Sequence, residues 1–269
     1  MTPPVWRRRT TKMQWAIWGG WLFGALVVAQ GWRFISDITL WDFVWDAPAQ
    51  AGDMLSRMVP PRWDYAPMIL KPLWDTVNIA TLGTLLAILL ATPIAFLAAR
   101  NTSPHALTLR PFALSVIAVS RSINTLIWAL LLVTIVGPGV LAGILAVALH
   151  SIGFFGKLLY EAIEEIDPAQ TEAIAATGAS RAQILAYGVV PQVLPTFAGV
   201  SVYRWDINIR ESAVLGIVGA GGIGLQLNAS VSQLAWPRVT LILIAIFGAV
   251  LVQDYLYHTG QYLMVKLSM

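Results

Sequence analysis

The sequence predicts an all-α polytopic membrane protein with about six spanning helices. Three observations predict it. Of 269 residues, 57% are hydrophobic and only 12% are charged, and the mean hydropathy is +0.70. Soluble domains carry roughly 25% charged residues, so much of this surface must face something other than water, and lipid is the simplest choice. Apolar runs approaching the ~20 residues that a helix needs to cross a bilayer recur along the chain. The segments outside those runs differ in charge, Arg7, Arg8, Arg9 and Lys12 at one end against a nearly balanced 32–72, and such asymmetry sets membrane orientation.

The chain opens with Arg7-Arg8-Arg9 and Lys12, followed by an apolar run over 13–31. A signal peptide begins in the same way. The run is long enough to span, however, and no small-x-small cleavage site stands out near Ala29, so it reads as an uncleaved anchor. Residues 32–72 carry Arg33, Arg57, Arg62 and Lys71 against Asp37, Asp42, Asp46, Asp53 and Asp64. Their tryptophans (Trp32, Trp41, Trp45, Trp63, with Trp74 just beyond) suit a helix lying in the interface, or simple anchoring by an aromatic belt. Further spans are expected over 76–99, 111–136, 140–155, 189–218 and 239–257; the fourth of the six is short and the fifth is interrupted by charge. This divides the chain into an anchor with an external segment, 1–72, and a core, 73–269.

Charge then gives the topology. The N-terminal arginines place that end in the cytoplasm. The 100–110 loop, basic at both ends, and the long 157–190 loop fall on the same side, and Lys266 puts the C-terminus there too.

Within the long loop, Asp167-Pro168-Ala169-Gln170 reads as a helix start: an aspartate cap, proline at the first helical position, and a glutamine three residues after the cap that can bond back. The helix runs through Glu172, Ala173 and Ala176 to Gly178, which can take the left-handed conformation that ends it. Ser180-Arg181-Ala182-Gln183 repeats the capping pattern and starts a second short helix toward Pro191. Such a helix–glycine–helix surface can insert into a groove on another protein, or it is simply a solvated connection.

The fifth span holds Arg204, Asp206, Asn208, Arg210, Glu211 and Ser212. Charges inside a span are costly and usually face a cavity or one another. Arg204, Asn208 and Glu211 share a helix face, and Asp206 and Arg210 are four apart and can form an ion pair. Asn208, Arg210, Glu211 and Ser212 are the candidates for lining a path through the membrane; the alternative is an interfacial segment whose charged ends snorkel to headgroups. Arg121, early in the third span, is a weaker case of the same kind. Gly219, Gly221, Gly222 and Gly224 follow at once and break or bend the helix, which makes them candidate gate or hinge glycines.

Glu172-Ala173-Ile174-Ala175-Ala176-Thr177-Gly178, closed by Pro191, resembles the EAA loop of the permease subunits of ABC importers. That family's pattern is Glu-Ala-Ala, three residues, Gly, nine residues, Ile-x-Leu-Pro. This chain departs from it at Ile174, Gly188 and Val190. The resemblance implies a type I ABC importer permease fold, with the loop as the coupling helix that docks into the nucleotide-binding subunit and Glu172, Ala173 and Gly178 as the docking residues. The stretch from Tyr203 to Gly216, with the glycines after it, resembles permeases of phosphonate and phosphite importers; the glycine-rich tail alone is shared with methionine and quaternary-amine importers. The resemblance therefore implies a small phosphorus oxyanion as cargo. It implies as partners two cytoplasmic ATP-binding subunits, a second permease copy or paralogue, and a periplasmic or lipid-anchored binding protein, in a bacterial inner membrane.

Other chemistries find little support. There are no cysteines, which excludes disulfides, iron–sulfur clusters and thiolate chemistry. His105, His150 and His258 lie far apart, without metal-ligand spacing. The net charge of +3 is small and scattered, unlike a nucleic-acid footprint. Gly219-x-Gly221-x-x-Gly224 matches the dinucleotide fingerprint, but apolar membrane sequence precedes it and no suitable acid follows. The sequence has no Gly-x-x-x-x-Gly-Lys-Ser/Thr loop, so the expectation is that this chain holds no cofactor, is not an enzyme, and relies on a partner to bind ATP and magnesium. A secondary transporter would be expected to show an internal repeat of spans, and an intramembrane enzyme would need a base beside Ser212; neither is seen.

Overall fold

In hydrocarbon every backbone N–H and C=O must be satisfied within its own segment, so an apolar run becomes a helix. The computed structural model describes residues 11–105 and 107–267, and among them there are helices and connecting turns but no strand. The Arg7-Arg8-Arg9 cluster lies outside the described residues. The chain divides into two units, residues 1–56 and 57–269.

In the first unit, α1 (Thr11–Ile38) is 28 residues long and leaves Trp15, Trp18, Phe23 and Val28 exposed, as a lipid-facing helix does. α2 (Trp41–Met58) follows after a turn in which Trp41 Nε1 donates to Ser36 O at 3.1 Å and the Trp41 ring lies 6.1 Å from that of Trp32. Helical spacing sets Trp41, Val44, Trp45 and Leu55 on one side of α2 and Asp42, Asp46 and Asp53 on the other, the arrangement of an interfacial helix.

In the second unit a 3₁₀ turn at Trp63–Tyr65 leads into α3 (Ala66–Ala98). There follow α4 (Leu109–Ser122), α5 (Thr125–Val136), α6 (Val140–Glu164), α7 (Pro168–Ala176), α8 (Arg181–Ile184), α9 (Val190–Leu215), α10 (Ile223–Ser232) and α11 (Trp236–Leu267). Small residues set the core. Ala80, Ala87, Ala91 and Ala95 of α3 and Ala142 and Ala146 of α6 are each at most 1% exposed. Lipid is as apolar as leucine, so spans associate by close packing, and small residues let the backbones approach. At Gly83 a Cβ would lie 2.7 Å from Val147 Cγ1, so α3 and α6 meet at a distance only glycine permits there.

Among the described residues four helical segments are long and apolar enough to cross a membrane: Trp63–Ala98, Val140–Glu164, Arg181–Val218 and Trp236–Tyr255. A fifth is formed if α4 and α5 count as one broken span. α1 has the length for a sixth, with tryptophan and glycine diluting its apolar residues. The polytopic all-α fold expected from composition is therefore present, with three local differences.

The expected span 111–136 is not one straight helix, because α4 and α5 meet at 91°. Asn124 causes the break by capping α5, its side chain accepting from Leu126 N at 2.9 Å. The Ile123 carbonyl, freed from the helix, is met by His150 Nδ1 at 2.9 Å. The short span 140–155 extends to Glu164, since Lys157 and Glu161, paired at 3.5 Å, carry the helix beyond the apolar region. The second span begins at Ala66, ahead of the expected 76, because Pro67 fits the first helical turn.

The two ends of this unit differ in chemistry. At one end Glu164 accepts from the backbone N–H of Arg100 at 2.8 Å and pairs with Arg110 at 3.7 Å. At the other, Arg62 N donates to Pro237 O at 3.0 Å and the Tyr65 hydroxyl to Gln226 Oε1 at 2.8 Å.

Candidate functional site

Two places concentrate the polar chemistry: the α7–α8 loop and the middle of α9. In the loop, Asp167 caps α7 by accepting from Ala169 N at 3.0 Å. The back-bond expected from Gln170 is replaced. Asp167 N instead donates to Gln192 Oε1 at 2.9 Å, while Gln192 Nε2 donates to Gly188 O at 2.7 Å. Gln192, unnoticed in the sequence, thus ties the start of α7 to the start of α9. Gly178 ends the first helix with φ of +82°. Ser180 and Gln183 form the complete capping box, each side chain bonding the other's backbone N–H.

α8 does not end the second helix. It passes through one wide π turn, Leu185–Val189, directly into α9. Pro191 explains the wide turn: it has no N–H to donate and its ring crowds the preceding turn, so an extra residue is looped out. Gly188, where the family pattern has isoleucine, faces α7. A Cβ there would lie 3.1 Å from Thr171 Cγ2 and 3.3 Å from Ile174 Cδ1. Ile174, another of the three departures, fills the space the glycine leaves. Glu172, Ala173 and Gly178 are all exposed.

On α9 the structure separates the four path candidates. Asn208 and Ser212 have no exposure. Asn208 Nδ2 donates to Thr84 Oγ1 of α3 at 2.7 Å and to Ser151 Oγ of α6 at 3.0 Å, and Ser151 returns a bond to Asn208 Oδ1 at 3.2 Å. Ser212 donates to the Thr76 carbonyl at 3.1 Å. Arg204, 2% exposed, joins the same network through Ser151 Oγ at 3.0 Å and stacks 5.0 Å from the centre of the Phe154 ring. Its partner is Glu211, at 3.5 Å, which also accepts from Thr125 Oγ1 of α5 at 2.7 Å. The face shared by Arg204, Asn208 and Glu211 is thus where α9 meets α3, α5 and α6. The buried amide and hydroxyls satisfy one another, whereas Arg204 Nη2 is buried without a hydrogen-bond partner and is offset by the Glu211 carboxylate alone.

Glu211 and Arg210 retain open surface, with 31% and 44% of their side chains exposed. The expected i, i+4 pair is present: Arg210 grips Asp206 with both terminal nitrogens. α11 completes this second cluster. Gln253, 2% exposed, donates to both the carbonyl and the carboxylate of Asp206, and Asp254 Oδ1 stands 3.7 Å from Arg210 Nη1. Gln253 and Asp254, unnoticed in the sequence, stand there as a polar pair within the last apolar run. Ser151, Thr84 and Thr125 carried no such signal.

α9 closes with a 3₁₀ turn, Gly216–Val218, and the glycines then reverse the chain. Gly219, Gly221 and Gly222 have φ of +87°, +81° and +75°, the left-handed region that glycine enters without cost. Thr76 Oγ1 accepts from Ile223 N at 2.8 Å to start α10, and a Cβ on Gly222 would lie 2.7 Å from that oxygen. Gly224 sits against the Ala213 carbonyl. Among the described residues no group of histidine and carboxylate side chains could hold a metal ion.

Residues 91–259 match the family model described as binding-protein-dependent transport system inner membrane component. The chain is 45% identical over 215 residues to the phosphate-import permease protein PhnE of Mycolicibacterium smegmatis, a match covering 77% of this chain and 40% of that protein. It is 42% identical over 201 residues to the phosphite transport system permease protein PtxC of Stutzerimonas stutzeri, covering 75% of this chain and 73% of that one. Among solved structures, an inward-facing MetNI methionine ABC transporter aligns with a TM-score of 0.66 at 19% identity, over 76% of this chain and 99% of that one. An amino acid ABC transporter aligns with a TM-score of 0.62 at 22% identity, over 74% and 95%. The helical fold, the capped two-helix loop and the family match together make this chain a member of the binding-protein-dependent transport system inner membrane component family.

Proposed function

We propose that this chain is the pore-forming subunit of an ATP-driven importer for a small phosphorus oxyanion such as phosphonate, phosphite or phosphate. The observation that carries the reading is identity of 39–45% with permeases whose names specify phosphate and phosphite transport; the methionine permeases stand lower, at 30%. Two permease copies, or this chain and a paralogue, enclose the path. Two ATPase subunits bind ATP and magnesium on the cytoplasmic side, and an external binding protein delivers the cargo. The chain lies in a bacterial plasma membrane with both termini inside, which the basic residues at the Arg100–Arg110 end of the bundle support.

In this reading Glu172, Ala173 and Gly178 form the docking face for the ATPase. Because α8 runs without a break into α9, a push on the loop is delivered along one rod to the Asn208 network, which carries α3, α5 and α6 with it. Arg210 and Glu211 present charge to the path, Asn208 and Ser212 hold them in place, and Gly219, Gly221, Gly222 and Gly224 form the turn about which the outer end of α9 swings. A guanidinium suits an oxyanion because it offers paired donors in one plane.

The test is an affinity pull-down of the full chain from detergent-solubilised membranes. Co-purification of a soluble ATPase whose turnover rises with a phosphite- or phosphonate-loaded binding protein is the expected result. A chain that emerges alone and moves solute in liposomes without ATP would overturn the reading.

A further inference from the structure

The cluster around Arg210 is not arranged as an open anion site. One cation stands between two carboxylates, Asp206 and Asp254, so the cluster carries net negative charge and repels an oxyanion as it stands. The two carboxylates are held unequally. Asp206 is one helical turn from Arg210, is bonded by both of its terminal nitrogens, and is pinned by Gln253 from α11. Its side chain is 9% exposed. The Asp254 side chain is 48% exposed and stands 3.7 Å from Arg210 Nη1, beyond hydrogen-bond distance. Exposed ion pairs of that kind are weak. Asp254 is therefore the partner that can leave, while the Asp206 pair keeps the guanidinium aimed.

We propose that Asp254 is a positioning residue that acts as a displaceable stand-in for the cargo oxyanion. It occupies Arg210 while the path is empty and gives way when an anion arrives. Since Asp254 belongs to α11 and Arg210 to α9, the exchange also removes one of the links between these two helices, while the Gln253–Asp206 bonds remain. The proposal rests on the assignment of Arg210 to the path. It names the feature that sets selectivity there: an anion must outbid a carboxylate, which favours a doubly charged oxyanion with several acceptor oxygens over a monoanion.

The full chain in lipid nanodiscs, titrated with ³³P-labelled phosphite, tests this by equilibrium dialysis. Asp254→Asn removes the competing charge and keeps the side-chain shape. It should tighten phosphite binding about tenfold or more relative to the unaltered chain, and the gain should vanish in Asp254→Asn/Arg210→Ala. Asp254→Glu, which restores the carboxylate, should return affinity toward that of the unaltered chain. A merely structural role for Asp254 predicts weaker or unchanged binding, so no gain in Asp254→Asn, a gain that survives loss of Arg210, or no saturable binding by any form overturns the proposal. Uptake by whole cells separates this from the underlying reading. Loss of uptake in Arg210→Ala with no gain in Asp254→Asn removes only the stand-in role, whereas normal uptake in Arg210→Ala removes Arg210 from the path altogether.

Discussion

Adjacent residues on α9 have opposite fates. Arg210 keeps 44% of its side chain exposed, while its neighbour Ile209 and the nearby Asn208 are buried. Asn208→Ala removes the shared partner of Thr84 and Ser151 in the bundle, and hydrogen bonds between membrane helices are worth ~0.6 kcal/mol on average, up to ~1.7. With two partners lost, about 1–2 kcal/mol of stability should go, read as a lower midpoint of thermal unfolding in detergent; an unchanged midpoint would show that the network contributes nothing. Arg210→Ala should abolish uptake while the chain still assembles, and because it strips the buried Asp206 carboxylate of its cation it should lower the midpoint as well. The charged positions were legible in the sequence because a charge in an apolar span stands out. Their orientation was not. Arg204, Asn208 and Glu211 were correctly grouped on one face, but that face packs against Ser151, Thr84 and Thr125. A serine or threonine gives no warning of such a role, since its hydroxyl can equally bond its own helix, as Thr84 does with the Ala80 carbonyl at 2.6 Å.

Helix caps were the most readable elements, because capping is a local interaction that a few consecutive residues specify. Asp167, Gly178 and the Ser180–Gln183 box stand as their types and spacing require. The Gln192 clip and the π turn were not legible, since they join segments 25 residues apart or answer a steric conflict at Pro191. The same limit explains the third span: Asn124 is a good cap, but only the His150 contact shows that the chain turns there instead of running on. The exposed α7–α8 surface carries its own prediction. Glu172→Lys reverses the charge on the proposed docking face and touches nothing buried, so the chain should reach the membrane at normal levels while ATPase co-purification falls at least tenfold. Normal co-purification with normal uptake would remove Glu172 from the docking face.

At the scale of the molecule, composition alone fixed the class, because 12% charged residues cannot coat a soluble fold of this size. The helix count followed from apolar length except at α4 and α5, which meet at 91°, and at α1, whose tryptophans and glycines dilute its apolar residues. What the whole adds is mechanical continuity. One helical rod links the exposed α8 turn to the buried Asn208 network and ends at the glycine turn, which Thr76 of α3 and Val140 of α6 enclose. That arrangement suits a subunit that converts a push at one membrane face into movement at the other.

The most direct test of that claim is uptake of ³³P-labelled phosphite into proteoliposomes holding this chain with its co-purifying ATPase. The binding protein is supplied on one side and ATP on the other. The account predicts accumulation that requires both and that disappears in Glu172→Lys. Accumulation that proceeds without ATP, or in the absence of the ATPase subunit, would contradict it.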